Sequence, residues 1–243
     1  MNNELDVSIV LPCYMEENSI ENAVKQIFEV MGKTSYSFEL IFVDDASKDK
    51  TKEKILKAAF EYPSVHHLLQ EKNTGRGKAF INGAEISKGK IIGFLDADME
   101  ISPDVLPDVI REIQSGKDVC IVKRNYTIEW SPEFLLRHLA SITYKRIAWM
   151  LLNIPKLDTE TGFKFFRREK LFSLLEKTEA PGWFFDTEIV CLAYYNGMNI
   201  SQVNGTYKKN WKKNSTVNLF SDSIRQFKSV LAYRKNLKKM FPQ

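Results

Sequence analysis

Between Ile91 and Glu100 the sequence passes from an apolar run, Ile91-Ile92-Gly93-Phe94-Leu95, to three acids, Asp96, Asp98 and Glu100. The apolar half reads as a strand buried on both faces of a parallel sheet. Carboxylates at i, i+2 and i+4 fall on one side of an extended chain and can be aimed at one point. Without a counter-charge they repel one another and are costly to bury. A hard divalent cation bridging to phosphate oxygens removes both problems; a solvated acidic loop at a strand end is the alternative. A second stretch, Glu71 to Lys78, brings Lys72, Arg76 and Lys78 to the head of a helix. There they can neutralise a pyrophosphate with the help of the helix N-terminus, or stand in solvent. Lys78 is followed by Ala79, which breaks the Walker pattern, and the loop after the first strand has no G-x-G-x-x-G. P-loop and dinucleotide chemistry are therefore disfavoured.

Strands and helices must hold these loops. Val7 to Pro12 reads as a buried strand, and Ile20, Ala23, Val24, Ile27, Phe28 and Met31 have helical spacing. Asn18 with Glu21 suits the start of that helix and Gly32 its stop. Phe38 to Val43 is a second strand ending at Asp44-Asp45, followed by a helix that Pro63 closes. Val65 to Leu69, Ile91 to Leu95 and Val119 to Val122 read as further strands, with helices between them, the last from about Asp104 to Gln114. Strict alternation with short connections predicts an α/β fold, an open, mostly parallel sheet flanked by helices. Ligands of such sheets sit outside the carboxyl ends of the strands. The loops after Pro12, Asp44, Leu69 and Asp96 all fall on that edge.

The 243 residues, 44% hydrophobic and 27% charged, suit a soluble globular chain. The start is polar, with no secretory apolar region, and no apolar run reaches the ~18–20 residues a bilayer span needs. Cys13, Cys120 and Cys191 form no C-x-x-C pair, which suits reduced thiols and a cytoplasmic location. His66, His67 and His138 are too scattered for a zinc cluster. Charge is uneven: through Val122 the chain carries 14 Lys+Arg against 21 Asp+Glu, and from Lys123 onward 21 against 10. A basic second half implies an anionic partner: nucleic acid, a phosphorylated ligand or a lipid surface.

Four segments in order, Val10 to Glu17, Val43 to Thr51, Asn73 to Lys78 and Leu95 to Asp98, resemble glycosyltransferase family 2, the nucleotide-sugar transferases of the GT-A fold. Asp158 to Arg168, Phe185 to Glu188 and Trp211 to Asp222 bring the likeness closest to polyprenyl-phosphate (dolichyl-phosphate) mannosyl and glucosyl synthases. The resemblance implies a GDP- or UDP-hexose donor, with Pro12 and Tyr14 beside the base and Glu16 near the ribose. Asp45 would accept from the base's ring N–H while Asp44 supports the loop. Asp96 would face the ribose or sugar, and Asp98, with Glu100 where a Gln is common, would hold Mg²⁺ or Mn²⁺. Asp158 is either the general base on an acceptor hydroxyl or, where the acceptor is an already anionic phosphate, an orienting group. Arg124 and Arg137 are candidates for the acceptor phosphate. Asp186 and Glu188 either contact the acceptor or cap the helix they begin.

Phe134 to Leu152 forms an amphipathic pattern, with Leu135, Leu139, Ile142, Ile147, Met150 and Leu151 apolar and Arg137, Lys145 and Arg146 charged; Tyr144 and Trp149 are interfacial types. Ile224, Phe227, Val230, Leu231, Leu237 and Met240 do the same among Lys and Arg near the end. Both suit packing on the sheet or peripheral contact with an anionic membrane surface on its cytoplasmic face. The expected organisation is a transferase unit over 1–218, its nucleotide-binding part about 1–122 and its acceptor part about 123–218, with a basic helix over 219–243. Three functions are open: hexosyl transfer to a polyprenyl phosphate, transfer to a glycan hydroxyl with Asp158 as base, and a non-catalytic sugar-nucleotide or RNA-binding module. The intact acids Asp45, Asp96 and Asp98, and the lack of an RNA-recognition aromatic motif, favour an enzyme without a nucleic-acid partner.

Overall fold

The apolar runs pair into one sheet. The computed structural model describes residues 5–126, 143, 145–180, 182, 184–208 and 219–242. In chain order they form β1 (Val7–Cys13), α1 (Ile20–Met31), β2 (Phe38–Asp44), α2 (Thr51–Glu61), β3 (Val65–Leu69), α3 (Arg76–Ile86) and β4 (Ile91–Leu95). A 3-10 turn (Pro103–Val105), α4 (Leu106–Gln114) and β5 (Val119–Tyr126) follow. A helix over 145–152 (α5) precedes β6 (Phe163–Arg167), α6 (Arg168–Leu175), α7 (Phe185–Tyr195), β7 (Ile200–Tyr207) and α8 (Leu219–Met240).

The sheet runs β3-β2-β1-β4-β6-β5-β7. β6 is antiparallel to both its neighbours, while the remaining pairs are parallel. The carboxyl ends of six strands and the amino end of β6 therefore share one edge. That insertion sends the segment before β6, which carries Asp158 and Glu160, to the same edge as the loops after β1, β2, β3 and β4. Gly93 on β4 lies opposite Phe165 on β6, and a Cβ there would lie 2.2 Å from the Phe165 ring. Close approach of an aromatic ring explains a glycine in a central strand.

One face of the sheet is covered by α1, α2 and α4 through Ile20, Ile27, Ile55, Leu106 and Ile110. α3, α6 and α7 cover the other, through Phe80, Leu171 and Ile189. A smaller cluster joins α5, α7 and α8 through Ala148, Leu152, Cys191, Val230, Tyr233 and Leu237. On α8 the buried stripe is Val230, Tyr233 and Leu237, whereas Phe227, Leu231 and Met240 are exposed, so the expected single apolar side is divided between core and surface. Among the described residues no helix is long and apolar enough to cross a membrane.

Candidate active site

The loops after β1 and β2 are laced together. Met15 N donates to Ser47 Oγ (2.9 Å), Glu16 N to Thr51 Oγ1 (2.7 Å), and Lys50 N to Glu17 Oε2 (2.9 Å). Ser19 stands at the head of α1, and its hydroxyl donates to Glu16 Oε2 (2.7 Å) instead of capping the helix. Met15 and Ala46 hold positive φ at these two tips, a strain that L-residues keep only where surrounding contacts enforce it. Tyr14 is exposed and Pro12 half-buried beside it. Asp44 accepts from Ser47 N at 3.3 Å, within its own loop. Asp45 is buried. Its Oδ1 accepts from Gln70 Nε2, Thr74 N and Thr74 Oγ1, and its Oδ2 from Gly75 N at 2.9 Å. The carboxylate expected to receive a base N–H thus fastens the loop that leads into α3.

The next residue along, Arg76, grips the acidic tip of β4. Its Nε and Nη2 donate to Asp96 Oδ1 at 3.1 and 2.5 Å, and its Nη1 to Asp186 Oδ2. Lys164, fully buried on β6, donates to Asp186 Oδ1 at 2.7 Å and to the Thr161 carbonyl. Both cations lie over the Phe94 ring, at 5.0 and 5.3 Å. Arg76 is therefore not grouped with the exposed Lys72 and Lys78; its place on the first turn of α3 turns it inward to carboxylates. Asp96 keeps 42% of its side chain exposed and Asp186 only 4%, so Asp96 can meet a ligand and Asp186 cannot. Enclosure pushes the Asp96 carboxyl up; Arg76 opposes this, and repulsion from Asp98 and Asp186 reinforces it.

The tip that carries the three acids is a turn, not an extended chain. Met99 has positive φ and donates its N–H to Asp96 O, so the chain turns there. Asp98 Oδ1 accepts from Glu100 N at 3.3 Å, and Glu100 Oε2 accepts from Tyr207 Oη at 2.6 Å, at the end of β7. Among the described residues no three acid, His or Cys side chains gather as a metal site. The i, i+2, i+4 argument assumed an extended chain, which the turn removes.

A second ionic cluster lies at the end of β5. Arg124 takes Asp158 in a two-pronged grip, Nε to Oδ2 at 3.0 Å and Nη2 to Oδ1 at 2.8 Å, and Nη2 also reaches Glu160 Oε2 at 3.3 Å. Arg124 N donates to Asp158 Oδ2 (3.1 Å), and Lys145 Nζ lies 3.2 Å from Oδ1. Burial alone would raise the Asp158 carboxyl; Arg124 and Lys145 outweigh it and hold it well below the usual carboxylate range. Burial pushes Glu160 the other way, up, against the same two cations. A carboxylate held so low is a poor proton acceptor, which argues against Asp158 as general base.

Asp186 and Glu188 do not present themselves to an acceptor. Glu188 is buried and accepts from Glu179 N (3.1 Å) and Ala180 N (2.8 Å), securing the segment ahead of α7. Lys145, one of the charges of the amphipathic pattern, points inward to Asp158, and Met150 is the exposed large apolar side chain of α5. Arg137 and Tyr144 lie outside the described residues. Sequence reasoning missed Lys164, Glu160 and Gly162. A lone lysine inside Phe163-Lys164-Phe165-Phe166 was the available signal, because a charge in an apolar strand needs a buried partner. Gly162 is demanded by Asp96, whose Oδ2 would lie 1.8 Å from a Cβ there.

The family model described as "Glycosyl transferase family 2" matches residues 8–174. Among curated relatives, glycosyltransferase AglD of Haloferax volcanii is 27% identical over 237 residues, covering 93% of this chain and 36% of that protein. Dolichyl-phosphate beta-glucosyltransferase ALG5A of Trichomonas vaginalis is 30% identical over 207 residues, covering 81% and 64%. The chain thus spans from about a third to somewhat under two thirds of the length of these relatives. Glucosyl-3-phosphoglycerate synthase from Mycobacterium tuberculosis, in complex with Mn²⁺ and uridine-diphosphate-glucose, superposes with a TM-score of 0.69 at 20% identity, covering 95% of this chain and 79% of that one. The fold is GT-A.

Proposed function

The chain belongs to glycosyl transferase family 2, and we propose that it transfers a hexose, glucose or mannose, from a UDP- or GDP-sugar to a polyprenyl phosphate, with inversion. The carrying observation is that Asp158 is fully engaged by Arg124 and Lys145. An acceptor phosphate brings its own anionic oxygen and needs no base; an acceptor hydroxyl does. The likeness to a dolichyl-phosphate glucosyltransferase points the same way.

In this reading the part of the chain over 1–122 holds the donor. Pro12 and Tyr14 flank the base, Glu16 stands near the ribose, and Asp44 and Asp45 keep the base-side loops in place. Lys72 and Lys78 face the diphosphate. Asp96, positioned by Arg76, orients the sugar. The part over 123–218 supplies Arg124 for the acceptor phosphate. Asp98 offers hard oxygen beside Asp96, whose repulsion from Asp98 and Asp186 a divalent cation would relieve. Asp98, with Glu100 from its place beside Tyr207, would hold Mg²⁺ or Mn²⁺, which supplies charge stabilisation for the departing nucleoside diphosphate. The protein's own part is alignment: acceptor oxygen behind C1, leaving oxygen in front.

The test is incubation with radiolabelled UDP-glucose or GDP-mannose, Mn²⁺, and either a polyprenyl phosphate or a simple alkyl glycoside. Label entering an organic-soluble, mildly acid-labile hexosyl phosphate is the expected outcome. Transfer to the glycoside alone would replace this reading with a hydroxyl acceptor, and Glu160, touched by Arg124 at 3.3 Å, would then be the base to examine.

A further inference from the structure

Sheet order places one acid where a ligand enters. The strands step outward from β1 to β2 and β3, and the next, β4, returns to the other side of β1. The helices change face at the same point, α1 and α2 on one side of the sheet and α3 on the other. Such a reversal opens a crevice outside the carboxyl ends of β1 and β4, where open sheets take their ligands. Asp96 directly follows β4, and 42% of its side chain is exposed. Behind it exposure falls step by step, to 9% for Arg76, 4% for Asp186 and none for Lys164. Arg76 gives Nε and Nη2 to Asp96 and Nη1 to Asp186 Oδ2, and Lys164 Nζ takes the other Asp186 oxygen, Oδ1, at 2.7 Å. We propose that Lys164 is a positioning residue for Asp96: by holding one oxygen of Asp186, it keeps that carboxylate from drawing Arg76 off the acid at the crevice. The proposal rests on the reading of Asp96 as the group that orients the donor's sugar.

The shape of the guanidinium carries the argument. It is a planar fork, and a carboxylate with both oxygens available takes it by two parallel hydrogen bonds. Here the Nε–Nη2 edge serves Asp96, and Asp186 is limited to Nη1 because its second oxygen is on Lys164. Without the ammonium, Asp186 Oδ1 becomes a buried anionic oxygen deprived of that donor, and Nη2 of the arginine already on the same carboxylate is at hand. Asp186 and Asp96 then contest Nη2. The buried acid holds the advantage, since attraction between charges strengthens away from water, whereas Asp96 has solvent as an alternative partner. The Phe94 ring, two residues ahead of Asp96 on the same strand, lies 5.0 Å from Arg76 and 5.3 Å from Lys164. Both cations are thus packed against the strand whose tip they orient.

The test compares wild type, Lys164→Met and the double variant Lys164→Met/Asp186→Asn. It measures kcat with the nucleotide sugar that wild type turns over, and the affinity for the free nucleoside diphosphate with Mn²⁺. Turnover is counted per nucleotide-binding site, so that loss of folded protein does not register as loss of kcat. Lys164→Met is expected to lower kcat about tenfold or more, because a small misplacement of an aligning group is that costly. Nucleoside diphosphate affinity should stay within about twofold, since the displaced acid serves the sugar. Adding Asp186→Asn should restore most of kcat: asparagine keeps an oxygen for Arg76 Nη1 but lacks the charge to compete for Nη2. An active wild type whose Lys164→Met variant keeps its turnover per site overturns the inference alone, as does a double variant no faster than Lys164→Met. Should Lys164→Met yield no folded protein, the double variant decides, since it leaves no buried carboxylate deprived of its lysine. It is expected to turn over within about tenfold of wild type, and a folded, nucleotide-binding double variant without turnover overturns the inference. A wild type that releases no nucleoside diphosphate from any nucleotide sugar overturns the transferase reading and this inference with it.

Discussion

Asp158 shows how a residue's partners decide its role. With Arg124 and Lys145 on it, its folded carboxyl lies below the usual range, so its stabilising contribution is complete above the unfolded value of ~3.9. It is lost as pH falls through the folded value. Asp158→Asn should cost roughly 3–5 kcal/mol at pH 7, because two mostly buried cations lose their partner. Urea titrations should find that the gap between variant and wild type narrows steadily below about pH 4. Gly162 makes the opposite case, a residue whose importance is its lack of a side chain. Its Cβ would overlap Asp96 and lie 2.7 Å from Arg76 Nη2. Gly162→Ala should therefore reduce transfer at least ~100-fold while circular dichroism retains the native signal. Full activity in that variant would remove Asp96 from the site. At this scale the sequence identified the acids but not their partners. Asp96, Asp98, Asp158 and Asp186 stand out as types, whereas Arg76–Asp186 and Lys145–Asp158 join residues 110 and 13 positions apart, which no local pattern encodes.

At the scale of elements, the first five strands were legible because each is a continuous apolar run ending in polar residues. β6 and β7 were not. The β6 run contains a buried lysine, and β7, at the sheet edge, is mostly half-exposed with little apolar alternation. Their absence hid the antiparallel insertion that carries Asp158 and Glu160 to the working edge. The β4–β6 pair is also where the fold tolerates least. Adding a methyl group at Gly93 drives it into the Phe165 ring, an overpacking that should cost about 1–3 kcal/mol. For a chain of this size that is a Tm several degrees lower, measurable by differential scanning calorimetry. Since Gly93 is two residues short of the strand's end, donor affinity of the folded fraction should be unchanged. A Gly93→Ala variant as stable as wild type would mean that the two strands are spaced more widely than described.

At the scale of the whole molecule, the net charge of −7 through Val122 and +11 beyond it places excess positive charge on the half that bears α5 and α8. Exposed on those helices are Met150, Phe227, Leu231 and Met240, with Arg146, Lys228, Arg234, Lys235, Lys238 and Lys239 also outward. Apolar side chains among lysines and arginines suit the boundary of an anionic bilayer, where each cation near the surface contributes about 1 kcal/mol. Such binding would bring the proposed transfer site to where a polyprenyl phosphate would reside. Vesicles containing phosphatidylserine or phosphatidylglycerol should carry the protein in flotation, neutral vesicles should not, and raising salt from about 0.05 to 0.5 M should release most of it. Phe227→Ser with Leu231→Ser should weaken flotation and leave Tm nearly unchanged, because both side chains are already exposed. Lys145→Met should float like wild type, since that lysine belongs to the interior. If the serine pair floats normally while Lys145→Met does not, the two faces of the α5–α8 unit have been assigned the wrong way round.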